Sequence, residues 1–157
     1  MKVAIIGLGY VGLPLACLCA EKGLEVYGAE LDTNKASLIE KGISPIEDAY
    51  LKEAVKKFKG KLKIFGKTED AVKNSEVIIV CVPTPVDENH IPDLTALKGA
   101  SISISKGLKD GALVIIESTI FHGTVEDIVL PIIKESKKAF FLLTVLKELT
   151  QEIKNSQ

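Results

Sequence analysis

Six residues near the start of the chain, Gly7-Leu8-Gly9-Tyr10-Val11-Gly12, have the spacing of a loop that cradles a phosphate. Each glycine has its own task in such a loop. Gly7 allows a tight turn, Gly9 lets the backbone approach a pyrophosphate, and Gly12 lets the following helix pack closely on a sheet. The helix N-terminus adds unpaired N–H groups and the positive end of its dipole. Tyr10 and Val11 complete the loop. Glu30 stands 18 positions after Gly12, near the spacing of a carboxylate that accepts hydrogen bonds from an adenosine ribose. Asp32 is its near neighbour, and either acid could instead be a solvated strand end. A carboxylate there repels a 2′-phosphate, and the chain has no Arg to grip one bidentately, since all 20 basic residues are Lys. The expected ligand is therefore NAD, with Lys35 in the next helix placed among the cofactor-binding residues.

A second group of chemistry-bearing residues lies further on, in Val82-Pro83-Thr84-Pro85 and Glu117-Ser118-Thr119. Both stretches follow apolar β-branched runs. The carboxyl ends of parallel strands form a ligand crevice, where the hydroxyls of Thr84 and Thr119 can donate to phosphate or ribose. The same residue types also form turns by bonding their own backbone, and that alternative stays open. Pro83 and Pro85 fix an extended turn. His90 and His122 are the only histidines, and both fall in loops, where a lone histidine is usually solvated. Cys17, Cys19 and Cys81 sit in apolar surroundings without metal-ligand spacing and read as reduced structural thiols.

The elements that must position these groups alternate. Strands are expected at residues 2–7, 25–30, 61–65, 76–82 and 112–117. Helices are expected at 10–22, 33–41, 48–59 and 69–74, from Asp93 as N-cap to about 107, and from 123 or 124 to about 135. Strand–helix alternation implies right-handed crossovers and a parallel sheet covered on both faces. The runs VAII, VIIV and LVII are apolar throughout, as strands buried on both faces must be. The fold class is α/β, a Rossmann-type doubly wound parallel sheet.

Composition narrows the partners. The chain has 157 residues, one domain's worth, with 46% hydrophobic and 26% charged residues and a net charge of -1. No basic footprint points to nucleic acid, no apolar run approaches the ~20 residues that span a bilayer, and no leader is read at the N-terminus. A cytoplasmic protein is expected.

Four segments resemble the UDP-glucose/GDP-mannose (nucleotide-sugar 6-) dehydrogenases: IIGLGYVGLPLA at 5–16, GISPIEDAYL at 42–51, VCVPTPVDENHIPDLT at 80–95 and LVIIESTIFHGTVEDIVLP at 113–131. VPTP, IPDL and EST at these spacings are far more specific than the glycine loop. The resemblance implies NAD-dependent oxidation of the C6 hydroxyl of a nucleotide-linked hexose to a carboxylate, through a thioester on a cysteine, in polysaccharide biosynthesis. The form SPIED at 44–48 looks closest to branches acting on UDP-N-acetylhexosamines. The resemblance also implies that Thr84 contacts the cofactor. It places Thr119 near the nicotinamide and the catalytic water, as an accessory group. The cofactor-binding set expected is thus Gly7, Gly9, Tyr10, Val11, Gly12, Glu30, Lys35, Val82, Pro83, Thr84, Glu117 and Thr119, with no metal.

The chain also departs from that family. His122 stands where Pro is usual. The family's reactive cysteine in a glycine-rich loop, its central Lys and Asn and its nucleotide-gripping C-terminal domain have no counterpart here. The expectation is an NAD-binding domain, inactive alone, that meets a nucleotide-sugar only if the missing domains are supplied. The alternatives are a non-catalytic NAD-binding or self-association module, or another Rossmann oxidoreductase.

The motifs end near 136, dividing a domain at 1–136 from a tail at 137–157. One legal coding of residues 139–153, read two bases later, gives Phe-Leu-Leu-Ala-Tyr-Ser-Pro-Glu-Arg-Val-Asn-Pro-Gly-Asp, which resembles the family's next segment. The tail is therefore expected to come from a shifted reading frame, with the slip near the lysines at 137 and 138. Phe141, Val145 and Leu149, and with them Leu142, Leu146 and Ile153, recur at helical spacing, so residues 138–154 are expected to form an amphipathic helix, with room for a short strand at 140–143. An exposed apolar stripe there favours a homodimer.

Overall fold

The computed structural model describes residues 1–86, 88, 91–121 and 123–145. Six parallel strands form one sheet: β1 (Lys2–Ile6), β2 (Glu25–Ala29), β3 (Leu62–Phe65), β4 (Val77–Val80), β5 (Ala112–Ile116) and β6 (Phe140–Thr144). Their spatial order is β3-β2-β1-β4-β5-β6, so the chain reverses direction across the sheet between β1 and β4. At that switch point two crossovers leave to opposite sides, and a crevice opens beyond the carboxyl ends.

Alternation along β1 builds two cores from one strand. Val3 and Ile5 pack under α1 (Gly12–Glu21) and α3 (Ala49–Lys57), together with Ile39 of α2 (Thr33–Glu40). Ala4 and Ile6 face the other layer, with Val72 of α4 (Thr68–Val72), Leu97 and Ile104 of α5 (Thr95–Gly107), and Ile133 of α6 (Leu130–Lys134). A π-helical segment, Val125–Val129, runs straight into α6.

Aspartate side chains cap the starts of two helices. The Asp48 carboxylate accepts from Leu51 N–H at 2.8 Å to start α3. Asp32 accepts from Asn34 and Lys35 N–H at 2.9 and 3.2 Å to start α2. Asp93 does not stand directly before α5, because Leu94 intervenes; its carboxylate accepts from Thr95 N–H at 2.8 Å.

The short strand expected at 140–143 is present, and the helix expected around it is not seen as far as 145. No helix occupies residues 138–145; residues 140–144 form β6, in parallel register with β5 from Ala112↔Phe140 to Ile116↔Thr144. The physical reason lies in period two. Phe140 and Leu142 reach the core shared with Val114 and Ile133, and the ladder to β5 satisfies backbone that a lone helix would leave to its own propensity. The remainder of the expected helix, 146–154, lies outside the described residues.

The layers are unequal. Helices α1 to α3 cover β1 to β3 on their face, but Leu113 and Ile115 of β5 are only half-buried there. Phe141 and Leu143 of β6 are 68% and 55% exposed on the same side.

Candidate functional site

The glycine loop sits in the bend between β1 and α1. Gly7 has φ +89°, the left-handed region that favours glycine, and its N–H donates to Ala29 O at 2.9 Å. A Cβ at Gly12 would lie 1.8 Å from Gly7 O, so this residue seals helix against loop. A Cβ at Gly9 would meet nothing within 4 Å. Gly9 therefore leaves room above the backbone, where a phosphate group needs it. No side chain caps α1, in contrast to the Asp-capped α2 and α3. Leu13 and Leu15 N–H are taken by Gly9 O and Val11 O and Pro14 has none, so what suits an anion here is the helix dipole behind the loop backbone.

A crevice of about 1080 Å³ opens over this loop, at the upper end of ligand-site sizes. Gly7, Gly9, Tyr10, Val11, Glu30 and Lys35 line one side, and Val82, Pro83, Thr84, Glu117 and Thr119 the other. Of the expected cofactor-binding residues, only Gly12 is absent from the lining, because it is packed beneath the loop.

Glu30 reaches back to the loop. One carboxylate oxygen accepts from Leu8 N–H at 3.2 Å and the other from Asp32 N–H at 2.9 Å. Each oxygen keeps a second lone pair for a ribose hydroxyl. Glu30 lines the crevice, while Asp32 caps α2 and is not part of the lining.

Beyond β4 and β5 the rim is tied by side chains. Thr84 Oγ1 donates to Thr119 O at 2.5 Å, and Ser118 Oγ to Val82 O at 2.8 Å. Ser118 is buried and lines the crevice, yet nothing in its sequence position distinguished it from a turn former. Also unforeseen were Lys67 after β3 and the small face of α5 at Gly99, Ala100 and Ser103. The doubly wound topology was their available signal, because it turns the carboxyl ends of β1 to β5 toward this crevice.

Cys17 and Cys19 stand apart from this chemistry, whereas Cys81 lines the crevice. Burial raises the Cys17 thiol to about 11 and pushes Cys19 up as well, away from the thiolate form a nucleophile needs. Cys81 lies under the loop, its Cβ 3.2 Å from where a Gly12 Cβ would stand. His90, His122 and most of the loop at 87–90 lie outside the described residues. Among the described residues, no helix is long and apolar enough to cross a membrane.

A model of the UDP-glucose/GDP-mannose dehydrogenase family, NAD binding domain, matches residues 1–152, past the last motif and through β6. The chain is 41% identical over 130 residues to the UDP-N-acetyl-D-mannosamine dehydrogenase of Pyrococcus horikoshii, covering 80% of this chain and 30% of that protein. It is 41% identical over 138 residues to the UDP-N-acetyl-D-glucosamine 6-dehydrogenase of Pseudomonas aeruginosa, covering 86% and 31%. A ternary complex of GDP-mannose dehydrogenase from Pseudomonas aeruginosa superposes with a TM-score of 0.87 at 31% identity, covering 92% of this chain and 35% of that one. The chain thus spans about a third of the length of these relatives.

Proposed function

The chain belongs to the UDP-glucose/GDP-mannose dehydrogenase family, as its NAD-binding domain, and from that premise we propose how it holds the cofactor and what it serves. The pyrophosphate lies over Gly9 at the N-terminus of α1. Glu30 accepts the adenosine ribose hydroxyls with Lys35 alongside, and the nicotinamide half runs toward Val82, Pro83, Thr84, Glu117 and Thr119. Bound NAD supplies a hydride acceptor; this chain's residues bind and orient it. The observation that carries this reading is the open space at Gly9 beside a carboxylate that already reaches Leu8 N–H. Calorimetric titration tests it: saturable NAD binding with at least tenfold weaker NADP binding is expected, and no NAD binding at millimolar concentration would sink it.

The reaction served is oxidation of the C6 hydroxyl of a nucleotide-linked hexose, within polysaccharide biosynthesis. SPIED at 44–48 and the two relatives at 41% identity favour a UDP-N-acetylhexosamine. The chain alone is inactive, because Cys17 and Cys19 lie in α1 and Cys81 is buried just past β4, none of them in a glycine-rich loop. NADH formation by the purified chain with UDP-sugars would overturn this. Free thiols at all three cysteines are in keeping with a cytoplasmic protein.

The half-bare sheet face and exposed Phe141 and Leu143 support a homodimer. Sedimentation should then give a dimer that becomes monomeric in Phe141→Lys/Leu143→Lys. The segment from about 137 comes from a shifted frame, and gene sequence downstream lacking a SPERV-like stretch would refute that.

A further inference from the structure

We infer that Thr84 and Ser118 are positioning residues: they clip together the loops leaving β4 and β5 and so set the nicotinamide half of the crevice. The inference rests on the NAD reading above. The backbone ladder between these strands ends where Glu117 N–H donates to Val80 O at 2.9 Å. Beyond that point the β4 loop contains Pro83 and Pro85, which have no N–H with which to continue it. Two hydroxyls take over. Ser118 Oγ donates across to Val82 O at 2.8 Å, and Thr84 Oγ1 donates back to Thr119 O at 2.5 Å.

The two bonds run in opposite directions, one from each loop. Each is therefore lost independently, and together they hold Val82 to Thr84 against Ser118 and Thr119. A hydroxyl has one hydrogen to give. The Thr84 hydrogen is engaged by Thr119 O, so toward a ligand Thr84 can only accept. Its main action is then on the loop and not on the cofactor. Ser118, buried at 6% exposure, has its oxygen turned to the β4 loop and also lies within 3.4 Å of Val80 O. Neither bond touches Gly9 or Glu30, on which the adenosine half of the crevice is built.

That separation makes the inference testable on the full chain. Thr84→Val and Ser118→Ala each remove one bond, while Thr84→Ser keeps the hydroxyl. Dissociation constants for NAD and for ADP-ribose, which lacks the nicotinamide, are measured by calorimetry. Amide hydrogen exchange is followed at 117–120 without ligand. Each loss variant should weaken NAD about fivefold more than ADP-ribose and speed exchange at Thr119 and Ile120. Thr84→Ser should match the parent. Equal weakening of both ligands, or an unchanged affinity ratio in Thr84→Val, would overturn the inference. Should the parent bind neither nucleotide, the cofactor reading falls and the nicotinamide half of the inference with it. The exchange comparison would then still decide whether the hydroxyls tie the loops.

Discussion

The two rims of the crevice are built on opposite plans. The β1–β2 rim is backbone: three glycines, an uncapped helix and one carboxylate that folds back onto a main-chain N–H. The β4–β5 rim places two prolines among its residues and ties itself with the hydroxyls of Thr84 and Ser118. A surface of N–H donors suits a charged, sequence-invariant group such as pyrophosphate. A surface shaped by side chains can be tuned for whatever lies at the reacting end. The difference teaches that substitutions on the first rim should act through sterics and charge, and those on the second through position.

The largest effect that would break this comparison is at Gly12. Gly12→Val puts a side chain 1.8 Å from Gly7 O, against backbone that has nowhere to move. A loss of about 4 kcal/mol or more is expected, read as a collapsed thermal transition. Gly9→Val should do the reverse, leaving the melting temperature within about two degrees while NAD binding falls at least about a hundredfold, because the new side chain fills empty space above the loop. Near-equal melting losses in the two variants would refute this division of labour. Glu30→Ala should weaken NAD about tenfold and narrow the preference over NADP, by loss of a charged acceptor and of a repulsion.

The smallest effect is a control remote from both rims. Lys63 and Tyr27 donate to the Glu25 carboxylate near the amino ends of the strands, lowering its pKa from the ordinary 4.5 to about 2, with the Lys63 bond the larger cause. A lowered carboxylate pKa contributes stability that is present above pH 4.5 and lost as pH falls through about 2. Glu25→Gln should therefore flatten the acid limb of the melting curve between these values and leave NAD affinity untouched. The pair is exposed, so the change at neutral pH is small.

Much of this was legible in the residues. The glycine spacing predicts both the bend at Gly7 and the sealed contact at Gly12, because only one geometry uses all three glycines. Asp48 predicts the start of α3 for a similar reason. Short apolar runs are less informative. In residues 140–145 the same residues satisfy a helical stripe and a half-buried strand, and a neighbouring strand's free ladder decides between them. Spacing does not say whether either acid is a solvated strand end; in the fold Asp32 caps α2 and Glu30 accepts from Leu8 N–H. Ser118 was hidden for a related reason. Its role depends on a carbonyl 36 positions away, across two strands.

The buried thiol in α1 has a practical corollary. At pH 7 a thiol whose pKa burial raises to about 11 is almost wholly protonated. Alkylation at that position therefore requires α1 to lift from the sheet. The rate of covalent labelling becomes a clock for that opening, and ligand at the α1 N-terminus should slow it.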